Sequence, residues 1–121
     1  MDRALREQDQ TGAPILIYVY TDWCPYCASF DRDVLADRSV GDFLTGQVVK
    51  MRINPETSPE GASLGQRLGV TGYPSFYLIS PRRTVNKVGY ESLPTEFLGR
   101  LQRAMSRQVD AACRSNGGQR R

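Results

Sequence analysis

The sequence predicts an α/β fold, with a mixed central sheet of about four strands and helices on both faces. Three observations predict it. An unbroken apolar run at residues 15–20 leads directly into a segment with helical periodicity. A second run at 48–53 is followed by another helical segment, which makes a strand–helix crossover. Finally, two strand-like runs at 75–79 and 85–89 lie close enough to form a hairpin, and a closing helix follows them.

Residues 2–10 (Asp2-Arg3-Ala4-Leu5-Arg6-Glu7-Gln8-Asp9-Gln10) read as a short polar helix ended by Gly12 and Pro14. Ile15-Leu16-Ile17-Tyr18-Val19-Tyr20 is β-branched and aromatic without alternation, the pattern of a strand covered on both faces. Residues 24–36 form the next helix, with Cys27, Phe30, Val34 and Leu35 as its inner stripe. A short helical turn capped by Ser39 covers 39–44, and a strand spans 48–53. Residues 59–68 read as a helix with thin apolar content, stopped by Gly69. After a turn at 70–74, the strand 75–79 pairs with 85–89, whose alternation predicts a half-buried antiparallel strand. Ser92 and Pro94 open a last helix carrying Phe97, Leu98, Leu101, Ala104 and Met105. The domain is expected to span 1–110, followed by a flexible basic tail at 111–121.

The chemistry gathers at Thr21-Asp22-Trp23-Cys24-Pro25-Tyr26-Cys27, where the first strand meets a helix. Two cysteines at this spacing can close a small disulfide, bind a soft metal, or simply pack; the strand–helix setting favours the disulfide. A helix N-terminus carries unpaired N–H groups and partial positive charge, so a thiolate at Cys24 is favoured there. Pro25 suits the first turn, because its missing N–H would have had no intrahelical partner. Cys27, one turn further in, would lie under Cys24 and be less exposed. Cys24 is thus the expected nucleophile, and Cys27 the thiol that resolves the mixed disulfide.

Composition bounds the rest. A chain of 121 residues is long enough for one core and too short for two. The net charge of +3 is too small to argue for nucleic acid. Arg100, Arg103, Arg107, Arg114, Arg120 and Arg121 outnumber Glu96 and Asp110 near the end. That asymmetry reads as a solvated helix face and tail, with an anionic partner or membrane surface as the sharper alternative. No apolar stretch is long enough to span a bilayer, and Met1-Asp2-Arg3 does not begin an export signal. The absence of histidine eliminates Ser–His and Cys–His hydrolytic arrangements. It also leaves the CxxC without the further ligands that copper or zinc would need, so neither a metal nor a cofactor is expected. Cys113, followed by Arg114, reads as a free thiol; a regulatory or intermolecular disulfide is the alternative.

Three segments together resemble the thioredoxin family over roughly residues 3 to 108. They are the first strand with Trp23-Cys24-Pro25-Tyr26-Cys27, the strand Val49-Lys50-Met51-Arg52-Ile53-Asn54, and Gly69-Val70-Thr71-Gly72-Tyr73-Pro74-Ser75-Phe76 with a hairpin ending Lys87-Val88-Gly89. The resemblance implies a thioredoxin fold and a thiol–disulfide oxidoreductase. It also implies a cis peptide bond before Pro74, and a substrate surface that includes Trp23, Pro25, Tyr26, Tyr73 and Pro74. Its implied partners are disulfide-bonded proteins and an upstream thiol reductant, met by a monomer.

Departures from the family pattern are as informative. Thioredoxins carry a buried Asp where this chain has Tyr18, which cannot accept a proton from the resolving thiol near neutral pH. Asp31, four residues after Cys27, offers a substitute on the same helix face. An acid at the matching place occurs in the C-terminal domain of DsbD, a bacterial transmembrane reductant conductor. The competing reading of Asp31 is a solvated carboxylate like Asp33. Lys50 matches a family lysine whose usual acidic partner is missing. Cys-Pro-Tyr-Cys is the usual glutaredoxin motif and leaves a glutathione-dependent reductase as an alternative. Against it, the chain has one glycine at Lys87-Val88-Gly89-Tyr90-Glu91, where glutaredoxins have a Gly-Gly pair. A metal-binding CxxC protein is a more remote alternative. No histidine lies between the cysteines, as one does in the oxidant DsbA, so a reductase or electron relay is expected. The DsbD-like features lean toward the bacterial cell envelope, with a cytoplasmic location otherwise.

Overall fold

The computed structural model describes the backbone of residues 1–119 and the side chains of residues 1–113. The four strands are β1 (Ile15–Val19), β2 (Val49–Ile53), β3 (Ser75–Ile79) and β4 (Val85–Val88), in the order β2-β1-β3-β4. β1 runs parallel to β2 and antiparallel to β3, and β4 closes the hairpin on β3. The expected mixed sheet is the observed one.

Each face of the sheet is covered. Leu16, Tyr18, Phe76, Leu78 and Val88 pack on one side against Phe30, Val34, Val40, Leu44, Phe97, Leu101 and Ala104. These belong to α2 (Pro25–Phe30), the π-helical turn Asp31–Leu35 that continues it, α3 (Arg38–Gln47) and α5 (Pro94–Gln119). Ile15, Ile17, Val19, Tyr77 and Ile79 face the other way, toward Ala4 of α1 (Asp2–Thr11) and Leu64 of α4 (Pro59–Leu68). Successive β1 residues therefore enter opposite cores, and the strand carries no polar face for alternation to reveal.

α4 explains how a helix with so little apolar content is held. Gly61 and Gly65 are buried, and a Cβ on Gly61 would lie 2.9 Å from the Asn54 carbonyl oxygen. The helix comes close to the segment leaving β2 because those positions have no side chain. Ser58 accepts from the Gly61 N–H at its start, and Gly69 ends it at φ 74°.

Several elements differ from expectation. α3 runs for ten residues instead of a short turn, and its cap is Asp37, whose carboxylate accepts from the Val40 N–H at 3.1 Å; Ser39 is inside the helix. β4 does not alternate: Val85, Asn86 and Lys87 are exposed and Val88 alone is buried. As the edge strand, it extends beyond the cover of the α1/α4 layer at Val85. α5 passes residue 110, where the tail is expected to begin, and continues to Gln119; residues 120–121 of that tail lie outside the described residues. Two buried glutamines tie helices to sheet carbonyls. Gln8 donates to the Ile79 and Ala13 carbonyls, and Gln108 to Leu78 and to the Asn86 side chain. Among the described residues, no helix is long and apolar enough to cross a membrane.

Candidate active site

Cys24 caps α2. Its backbone is extended at φ −78° and ψ 113°, and its sulfur accepts the Cys27 N–H at 3.2 Å. The sulfur stands where a Ser or Asp oxygen would cap a helix, and takes the N–H of the third helical residue as such an oxygen would. Pro25 occupies the first helical position. Both cysteines are free thiols. Both are also buried, Cys24 at 4% and Cys27 at 2% exposure, so solvent access separates them less than the sequence suggests.

Chemical surroundings separate them more. Burial pushes the Cys27 thiol up to about 11, and the neighbouring Cys24 sulfur adds to the shift; the Thr21 backbone and the Tyr18 hydroxyl oppose it. Cys27 therefore holds its proton at neutral pH.

Tyr18 takes the place of the expected family acid. Its hydroxyl donates to the Cys27 carbonyl at 3.2 Å, and its ring stacks on Phe76 at 5.2 Å. Burial, followed by the nearby Asp31 carboxylate, holds the phenol far above its ordinary range, so Tyr18 stays neutral. Asp31 begins the π-helical turn, where Ala36 N–H reaches the Asp31 carbonyl at 3.1 Å. One carboxylate oxygen, Oδ2, lies 3.8 Å from Arg52, while Oδ1 is buried with no hydrogen-bond partner. Asp31 is thus neither the freely solvated carboxylate of one expectation nor fully enclosed.

Lys50 does not join this group: it is exposed and donates to Thr45. Arg52 is the cation at the site and was missed by the sequence reading. Register sets it beside Tyr18, and its guanidinium lies 5.4 Å from the Tyr18 ring centre and 4.4 Å from that of Tyr20. Its position two residues after Lys50, on the same side of β2, was the available signal. Thr21 and Tyr90 were missed as well.

In front of the cysteines lies an aromatic surface. Trp23 and Tyr26 are 64% and 65% exposed, so Trp23 does not fill the core. Trp23 meets Tyr73 edge-on at 6.0 Å and donates from its indole N–H to Glu56 at 2.8 Å. Tyr26 meets Tyr90 at 6.2 Å. The Tyr73–Pro74 peptide is cis, and both residues are half-buried. The Trp23–Tyr73 contact brings that turn to the front of α2. Cys113 is exposed on α5, and among the described residues it makes no disulfide.

The family described as thioredoxin-like domain matches residues 1–104. The chain is 30% identical over 115 residues to the thiol:disulfide interchange protein DsbD 1 of Pseudomonas aeruginosa, covering 89% of this chain and 19% of that relative. It spans about a fifth of the length of the curated relatives first matched. A solved thioredoxin from Thermus thermophilus is 30% identical, with a TM-score of 0.72, 86% of this chain covered and 82% of the other. The oxidoreductase DsbH is similar in fold, with a TM-score of 0.79 at 18% identity over 87% of this chain and 81% of that one.

Proposed function

This chain belongs to the thioredoxin-like domain family, and on that premise we propose that it is a dithiol reductase or electron relay acting on disulfide bonds in proteins. Cys24 attacks a substrate disulfide and forms a mixed disulfide. Cys27 then attacks Cys24, releases the substrate thiol and leaves a Cys24–Cys27 disulfide. Two electrons pass from the dithiol to the substrate. An upstream thiol reductant returns the pair to its reduced state.

The observation that carries this reading is the contact between the Cys27 N–H and the Cys24 sulfur at the first turn of α2. It aims a helix N-terminus at one sulfur while the other thiol is kept protonated next to it. Trp23, Pro25, Tyr26, Tyr73 and Pro74 provide the docking surface for an extended protein segment, and Asp31 receives the proton of Cys27. The working unit is residues 1–110, acting as a monomer. A bacterial envelope location belongs to the same proposal and rests on the similarity to DsbD.

Insulin reduction in the presence of a small dithiol tests the reading. Cys24→Ser must abolish turnover, and Cys27→Ser must trap a mixed disulfide with substrate. The reduction potential of the pair then fixes the direction. A value close to that of thioredoxin, about −270 mV, agrees with a reductase, and one close to DsbA, about −120 mV, overturns it.

A further inference from the structure

We propose that Tyr18 carries the proton of the resolving step, its hydroxyl linking the Cys27 thiol to the buried Oδ1 of Asp31. The inference rests on the dithiol reading above and adds the route by which Cys27 loses its proton. The hydroxyl is the one polar atom of β1 aimed into the α2 side of the sheet, at 3.2 Å from the Cys27 carbonyl. Asp31 Oδ1 is shielded from solvent and unsatisfied, an acceptor in want of a donor. Arg52 holds the other oxygen of the same carboxylate at 3.8 Å and covers the Tyr18 and Tyr20 rings. The Tyr18 ring cannot wander, because Phe76 stacks on it and Phe30 lies at 5.4 Å. Rotation about its C–O bond is its remaining freedom. That rotation moves the hydroxyl hydrogen from the Cys27 carbonyl toward Asp31.

Tyr18 is suited to the task because it stays neutral: both its burial and the adjacent carboxylate disfavour the phenolate. Near neutral pH it is no base on its own; as a relay it takes the thiol proton only while giving its own to Asp31, and does not become a trapped charge. The ionisable and charged groups around it are Cys24 at the cap of α2, Cys27 within α2, Asp31 from the π-helical turn, Tyr20 just after β1 and Arg52 from β2. The Asp31 carboxylate is itself partly exposed beside Arg52, and gives the proton a way out to solvent.

In the mixed disulfide, Cys24 is bonded to a substrate sulfur. The Cys27 S–H proton passes to the Tyr18 oxygen as the Tyr18 proton passes to Asp31. The Cys27 thiolate attacks the Cys24 sulfur, a new S–S bond forms, and the bond to substrate breaks. The electron pair departs on the substrate thiolate, which takes a proton from solvent; Asp31 returns its own to solvent from its exposed side. The dithiol is oxidised and the substrate disulfide reduced.

The test uses the reduced full chain and dithiodipyridine, followed by stopped-flow absorbance. The first thiopyridone released reports attack by Cys24, and the second reports resolution by Cys27. Tyr18→Phe keeps the ring and removes only the hydroxyl. It should slow the second release about tenfold or more at pH 7, with the first release within about twofold of wild type. The gap should close as the pH rises toward 11, where hydroxide takes the Cys27 proton directly. Asp31→Asn should slow the same release, and the double variant should be no slower than the slower single one. A second release at the wild-type rate in Tyr18→Phe at pH 7, or a slowing equal at all pH values, overturns the proposal. Should Tyr18→Phe fail to fold, the ring-Cζ chemical shift of Tyr18 decides: it must move in Asp31→Asn, and an unmoved shift overturns the proposal. By contrast, no first release from wild type, or a second release that survives Cys27→Ser, overturns the dithiol reading itself.

Discussion

The stability of the reduced protein should fall as the solution is made alkaline, and Cys27 should be the cause of a definable part of the loss. Burial raises this thiol from 9.0 to about 11 in the folded chain, first of all by desolvation. The sign follows from proton counting. Below the unfolded pKa both states keep the proton, and the folded state has its full advantage. Between the two values the unfolded chain releases the proton while the folded chain still holds it, so each step up in pH favours unfolding. The loss is complete once the pH passes the folded value. Two pH units correspond to roughly 2.7 kcal/mol as an upper bound. Urea denaturation at pH 8, 9, 10 and 11, with a phosphine reductant, measures it. Other groups weaken the fold over the same window, Tyr18 and Tyr90 among them, since burial raises both and the unfolded chain ionises them more readily than the folded one. The informative quantity is therefore the difference between wild type and Cys27→Ala, which should shrink by about 2 kcal/mol from pH 8 to pH 11. Oxidation of the pair should abolish this Cys27-dependent part, because neither active-site thiol remains to titrate. If the two proteins lose stability in parallel, Cys27 is not held protonated by the fold, and the division of labour between the cysteines loses its basis.

Four further outcomes test how the site is supported. Gly61→Ala would put a methyl group 2.9 Å from a backbone oxygen and should cost about 1–3 kcal/mol in urea denaturation. Gly41→Ala, inside α3 with open space around the new Cβ, should instead stabilise by about 0.5–1 kcal/mol. Gln108→Leu leaves the Leu78 carbonyl and the Asn86 side chain without their shared donor; a loss of about 1–3 kcal/mol is expected, with faster amide exchange in β4. Asp37→Ala removes the cap of α3 and should cost about 1 kcal/mol, whereas Ser39→Ala should cost under half of that.

Sequence made the fold legible wherever local chemistry and tertiary need agree. Residues 15–19 are apolar at every position because both faces of β1 are covered, and that pattern admits few other structures. Cys24 and Pro25 announce a helix start because capping is local. Legibility ends where partners are distant in the chain. Nothing near Gln8 or Gln108 signals that either side chain will be buried against a sheet carbonyl about 30 or 70 residues away. Val85 alternates correctly with its neighbours, yet the layer that would bury it ends short of the sheet edge. Asp37 and Ser39 are both good caps by composition; the choice between them depends on where the π-helical turn releases the chain.

That same turn bears on the chemistry. An uninterrupted α-helix from Pro25 would carry Asp31 past Cys27 on a fixed face, one turn on. The wider turn at Asp31–Leu35 alters the pitch where the carboxylate leaves the backbone. Its Oδ2 meets Arg52, and its Oδ1 is buried without a partner. The substitution of tyrosine for acid on β1 is then intelligible. A carboxylate at position 18 would add a second negative charge within reach of Cys27 and Asp31, with Arg52 as the cation already paired to Asp31. A neutral phenol avoids that repulsion and still offers a hydroxyl. The site thus separates two duties that a single buried acid would combine: Tyr18 makes the contact with the cysteine helix, and Asp31 supplies the charge. On this argument Tyr18→Asp would not restore the family pattern. It should impair resolution by Cys27, and raise the pH at which that step becomes fast, unless Asp31 is neutralised in the same chain.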